Sequence, residues 1–97
     1  MRLTKTEETF VAVARFAAET GITFRQAVEL RSLSMKAFRA GEYTLGCGQP
    51  AYERAAAREE KTGEKVRQYA EPLGLVVSWS GLWPTFTKDG RNHELPG

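Results

Sequence analysis

The hydrophobic period of this chain changes once, around "EPLGL", and that change limits the fold more than any other feature. Before it, apolar residues recur every three or four positions, as on one side of a helix. After it they alternate, as on a half-buried strand. Leu75, Val77 and Trp79 alternate with Val76 and Ser78, Ser80–Gly81 can turn the chain, and "WPTFT" can return it. Asp89–Gly90 is a strong hairpin signal, because a two-residue type I′ turn needs positive φ at both centres. That turn sets a register in which Lys88 faces Arg91, Phe86 faces His93 and Pro84 faces Leu95. Phe86 and Leu95 then share one face, and Trp83, Thr85 and Thr87 share the other with Asn92 and Glu94. Pro84 has no N–H for a ladder, so its nitrogen should look outward or sit at a strand end.

Helices followed by strands imply an α+β fold, with three helical segments packed on a C-terminal antiparallel hairpin or three-stranded meander. The first helix is expected over about 5–20, opened by a Thr4/Glu7 capping box and closed by Gly21, with Phe10, Val13, Ala14 and Ala17 on its apolar stripe. Thr23 and Gln26 make a second capping box, and Ile22 is placed to staple it. The following helix, over about 24–40, puts Phe24, Val28, Met35 and Phe38 on one side and Arg25, Glu29, Ser32, Lys36 and Arg39 on the other. Arg31 falls among the apolar positions. Either it lies at the edge and snorkels, or the helix breaks near "RSLS". "GEYTLGCGQP" reads as a loop. Pro50 suits the first turn of a third segment over about 50–72, either one helix weakened around Thr62–Gly63 or two shorter ones. Glu60 and Glu64 repel at i,i+4 and favour the break slightly. Strands are expected at about 75–79, 83–88 and 91–95.

Ninety-seven residues suit one domain over 1–97, and 41% hydrophobic with 27% charged residues is ordinary for a globular chain. The longest apolar run, "FVAVARFAA", is too short to span a bilayer, and its acidic flank does not suit a secretory signal. One cysteine makes no internal disulfide, so a cytoplasmic protein without membrane association is the expectation.

The net charge of +2 arises in one place. Residues 1–20, 49–72 and 73–97 each balance, whereas 21–48 hold Arg25, Arg31, Lys36 and Arg39 against Glu29 and Glu42. Electrostatic steering of an anionic partner should come from there. Arg25, Lys36 and Arg39 are therefore candidate phosphate contacts. A hairpin after helices has the order of a winged-helix plan, with Lys88 and Arg91 on the wing. Against this, "RSLSMKAFRAG" is compressed for a turn plus recognition helix, and Glu29 at i,i+4 offsets Arg25.

Chemistry is thinly represented. One cysteine and one histidine cannot build a metal site, and "GCG" lacks the Lys-Ser/Thr of a phosphate loop. Cys47 and His93 are the one pair open to nucleophilic catalysis, and a glycine-rich loop supplies reach but no sign of an activated thiol. The plainer roles are a small residue in a tight turn and a hairpin histidine stacked on Phe86. No catalytic residue and no cofactor are expected. Two tryptophans and a phenylalanine within "WSGLWPTF" raise the question of a partner. Trp79 shares its face with Leu75 and Val77 and should be core; Trp83, on the opposite face from Phe86, either caps the end of the third helix or anchors a partner.

The segments "AVELRSLSMKAFRA", "GCG" and "PLGLVVSWSGLWPTFTKDGR" together resemble small uncharacterised proteins encoded in bacteriophages and prophages. The matching positions are Arg31, Ser34 and Met35, then Gly46 and Cys47, then Gly74 and Leu75. The resemblance implies a phage-type accessory protein and brings no catalytic residue with it.

These readings combine into a non-enzymatic protein-binding module anchored by Trp83, Phe86 and Arg31, two aromatics for buried area and one guanidinium for a carboxylate. The alternative is a nucleic-acid-binding protein using Arg25, Lys36 and Arg39, with Lys88 and Arg91 as a wing. A monomer or weak homodimer is expected. Phe10, Val13, Phe16, Val28, Met35, Phe38, Val66, Tyr69, Leu75, Val77 and Trp79 should form most of the core.

Overall fold

Both capping boxes form. In the computed structural model, which describes residues 2–46, 48 and 51–96, the Glu7 amide donates to Thr4 Oγ1 and the Thr4 amide donates to the Glu7 carboxylate, each at 3.2 Å. Thr23 and Gln26 exchange the same two bonds at 2.9 and 3.0 Å. These caps satisfy donors that a helix N-terminus otherwise leaves to water, and they start α1 (Lys5–Thr20) and α2 (Phe24–Gly46). Gly21 ends α1 in the left-handed region at φ 74°, where any side chain would be strained. After α3 (Ala51–Ala70) and a 3-10 turn at Glu71–Leu73 come β1 (Val76–Ser80), β2 (Trp83–Lys88) and β3 (Arg91–His93), in an antiparallel sheet of order β1-β2-β3. The α+β arrangement is the expected one.

The sheet register follows the turn chemistry. Asp89 and Gly90 both have positive φ, at 53° and 78°, and pair Lys88 with Arg91 and Phe86 with His93. Gly81–Leu82 closes the first hairpin on the pair Ser80↔Trp83, with positive φ only at Gly81, the pattern of a type II′ turn. Pro84 pairs across from Trp79, one step from that closing pair, so its nitrogen points away from β1. On its other side β3 has already ended at His93, so the missing N–H breaks no ladder. The expected pairing of Pro84 with Leu95 is not made within a strand, although Leu95 is buried with Phe86.

Helix α2 is longer than expected, running through Gly41 to Gly46. Gly41 is a packing glycine: a Cβ there would lie 2.6 Å from Leu82 Cδ2. The helix does not break at "RSLS", and Arg31 lies half-buried at its edge. Its buried face also differs from the expected one. Ala27, Leu30, Ser34, Ala37, Ala40, Gly41 and Thr44 point inward, while Phe24 and Val28 are exposed and Met35 and Phe38 only half-buried. Small side chains let neighbouring helices approach closely, so the inward stripe is the small one rather than the large one. Ser34 and Thr44 enter it at little cost because their hydroxyls donate back to the Leu30 and Ala40 carbonyl oxygens at 2.8 and 2.9 Å.

α3 is continuous through Gly63, and Glu64 is held at 2.9 Å by Arg67 rather than left to repel Glu60 alone. One core joins all layers: Val13, Phe16 and Ala17 of α1, Ala27, Leu30 and Ala37 of α2, Val66 and Ala70 of α3, then Leu75, Phe86 and Leu95. Of the expected core, Val13, Phe16, Val66 and Leu75 are buried, and Tyr69 and Val77 pack on its margin. Phe10, Val28 and Trp79 are instead exposed: Phe10 precedes the first buried turn of α1, and Val28 lies off the small-residue stripe that α2 turns inward.

Candidate functional site

The three residues expected to anchor a protein partner are used inside the fold. Phe86 has no exposed surface, and its ring meets the edge of Phe16 at 5.6 Å between centroids. A ring with no accessible area cannot be a contact, so Phe86 is a core residue. Trp83 is half-buried, edge-on to Phe38 at 6.0 Å, and its indole Nε1 donates to the Leu95 carbonyl oxygen at 2.9 Å. It clamps the segment after β3. Arg31 serves the same segment, with Nε donating to the Pro96 carbonyl oxygen at 3.0 Å. That bond explains a cation among apolar positions: the aliphatic stem is covered while the guanidinium finds a carbonyl acceptor.

The proposed wing is also partly committed. The Lys88 ammonium donates to the Thr20 carbonyl oxygen at the end of α1, where unpaired carbonyls and the helix dipole favour a cation. Arg91 remains exposed at the hairpin. His93 does not stack on Phe86; it lies edge-on to Phe16 at 6.3 Å, with Nδ1 3.3 Å from Glu19 Oε2. The turn thus fastens to α1 through Lys88 and His93. Cys47 lies outside the described residues, so its pairing with His93 is not part of the geometry. Among the described residues no cluster of His, Cys, Asp or Glu is placed to hold a metal.

The basic face of α2 is presented as expected. Arg25, Lys36 and Arg39 are all exposed, and none is in an ion pair among the described residues, the Arg25–Glu29 pair included. Arg25 and Lys36 lie eleven positions apart, about 16 Å along the axis and within about 20° of the same direction.

Two further surfaces were not anticipated. Phe10 and Phe24 pack against one another with centroids 4.7 Å apart and planes tilted at 47°, yet they remain 58% and 38% exposed. Val28, one turn after Phe24, continues this apolar patch across α2. The signal for it was position: the buried stripe of α1 begins at Val13, one turn after Phe10, and Phe24 opens the first turn of α2. The second surface is an open groove of about 420 Å³ between α3 and the β1–β2 turn. Trp79, Leu82 and Gly63 line its apolar part, and Glu60, Glu64 and Arg67 its polar part. Trp79 lies over Gly63, where an added Cβ would sit 3.5 Å from the indole.

No helix among the described residues is long and apolar enough to cross a membrane. Comparison with protein-family models, with curated proteins and with solved structures finds no match for this chain.

Proposed function

We propose that this chain is a small protein-binding module of accessory type, and that it engages its partner through the patch of Phe10, Phe24 and Val28. The observation that carries this reading is the exposed aromatic pair. Two phenylalanine rings in mutual contact but open to solvent offer a preorganised apolar surface, and aromatic contacts dominate many interfaces at low entropic cost. Arg25 beside Phe24 supplies a charged rim. The resemblance to small phage and prophage proteins is in keeping with such a role.

Capture from a host-cell lysate by immobilised wild type, compared with the Phe10→Ser/Phe24→Ser double variant, tests it. A protein retained by the wild type and lost from the folded variant supports the patch. Equal retention by both sinks it.

The nucleic-acid reading keeps one specific support, the exposed Arg25, Lys36 and Arg39, none of them in an ion pair among the described residues. It is tested by titrating isotope-labelled protein with a mixed-sequence duplex at low and physiological salt. Phosphate contacts release counterions, so shifts along α2 should weaken steeply as salt rises. An unchanged spectrum at low salt removes it.

A further inference from the structure

The two edges of the sheet are not alike. β3 is three residues long and begins with Arg91, both of which discourage pairing with another chain. β1 is five residues, "VVSWS", with no charge and no proline, and its register with β2 runs unbroken from Val76↔Thr87 to Ser80↔Trp83. It pairs on one side with β2, and no strand covers its other side among the described residues. Val76 is 65% exposed, and Ser78, Trp79 and Ser80 are exposed as well. β1 itself carries no charge, proline or bulge to blunt this edge.

The direction of its free backbone groups follows from the turn. A two-residue hairpin closes on a hydrogen-bonded pair, here Ser80↔Trp83, and such pairs alternate with non-bonded ones. Ser78 and Val76 therefore bond to β2, whereas the N–H and C=O groups of Val77 and Trp79 point out of the sheet. We propose that these groups are taken up by a second copy of this chain, in an antiparallel β1–β1 pairing whose two-fold axis passes through Ser78.

That register is self-complementary at two levels. Val77 of each copy lies opposite Trp79 of the other as a bonded pair, so the four outward N–H and C=O groups on each edge are all satisfied. The same pairing sets valine beside tryptophan, a favourable cross-strand combination. A second copy is favoured over an arbitrary strand because it supplies the tryptophan and the valine at matching positions. Five residues of edge are small for a stable dimer, so the association is weak and concentration-dependent.

Sedimentation equilibrium from about 10 μM to about 1 mM, with amide hydrogen exchange read over the same range, tests the pairing. The expected result is a reversible monomer–dimer equilibrium in which the Val77 and Trp79 amides gain protection as dimer accumulates. Ser78 lies on the open face and opposite its own copy, so Ser78→Lys sets two ammonium groups side by side and should weaken association tenfold or more. Ser78→Val should tighten it. A wild type that stays monomeric to the highest concentration overturns the pairing. So does a dimer that leaves the Val77 and Trp79 amides unprotected or is indifferent to Ser78→Lys, since that contact lies elsewhere, for instance at Phe10 and Phe24.

Discussion

Trp83 and Leu95, twelve positions apart, are joined by an indole N–H that donates to a carbonyl oxygen at 2.9 Å. Arg31 makes a parallel bond to Pro96 from α2. The segment after β3 is thus held from two sides by side chains that sequence patterning marked as partner contacts. Trp83→Phe, which keeps the ring but removes the donor, should cost about 1 kcal/mol in urea denaturation. Arg31→Met should cost a similar amount. Because both bonds order the same few residues, the double variant should depart from additivity by about 0.5 kcal/mol or more. Strict additivity would mean that the segment does not depend on the two bonds jointly.

Phe86 and Phe10 are expected to trade the roles that hydrophobic pattern suggests for them. Phe86→Ala empties a fully buried site between Phe16 and its core neighbours, and should lose about 3–5 kcal/mol. Phe10→Ala removes an exposed ring and its contact with Phe24, and should lose less than about 1.5 kcal/mol. Equilibrium denaturation of the two variants side by side decides the point.

The helix glycines separate in the same way. Gly63→Ala places its new methyl at ordinary contact distance from Trp79 and should gain about 0.5–1 kcal/mol from the lower conformational freedom of the unfolded chain. Gly41→Ala drives its methyl into Leu82, so the same gain is offset by displacement of that side chain. A thermal melt that rises for Gly63→Ala but not for Gly41→Ala is the expected outcome.

Lys88 is expected to act on stability through α1. Lys88→Met removes a cation from the helix C-terminus and should cost about 0.3–1 kcal/mol at low ionic strength. The difference from wild type should shrink as salt is added, since the interaction is partly screened. If the nucleic-acid reading holds, Lys36→Ala should weaken duplex binding more than Lys88→Met does.

What could be read from the residues was largely local. The capping boxes at Thr4 and Thr23, the glycine stop at Gly21 and the Asp89–Gly90 turn each depend on neighbours a few positions away, and each forms as expected. The misreadings concern contacts between distant segments. Gly41 reads as a helix breaker until Leu82 is brought against it. The inward face of α2 is chosen by how closely its neighbours approach, so alanine, serine and glycine displace phenylalanine and valine from the interior. Periodicity along α1 shows that Phe10 shares a stripe with Val13, but not where cover by the rest of the fold ends. For the binding surface this matters most, because Phe10 is exposed by the limit of that cover and Phe24 and Val28 by the choice of inward face.

The joining of the core at Phe86 and Leu95 also bears on how the protein is made. A ribosome delivers α1, α2 and α3 first, and their inward faces then await the sheet that covers them. At typical elongation rates the stretch from Val76 to Leu95 takes about 1–4 s to appear. During that interval the nascent helices carry a solvent-facing apolar surface, a natural target for chaperones that act at the exit tunnel. Slow codons within this stretch would lengthen that exposure, whereas the same codons within α1 would leave it unchanged.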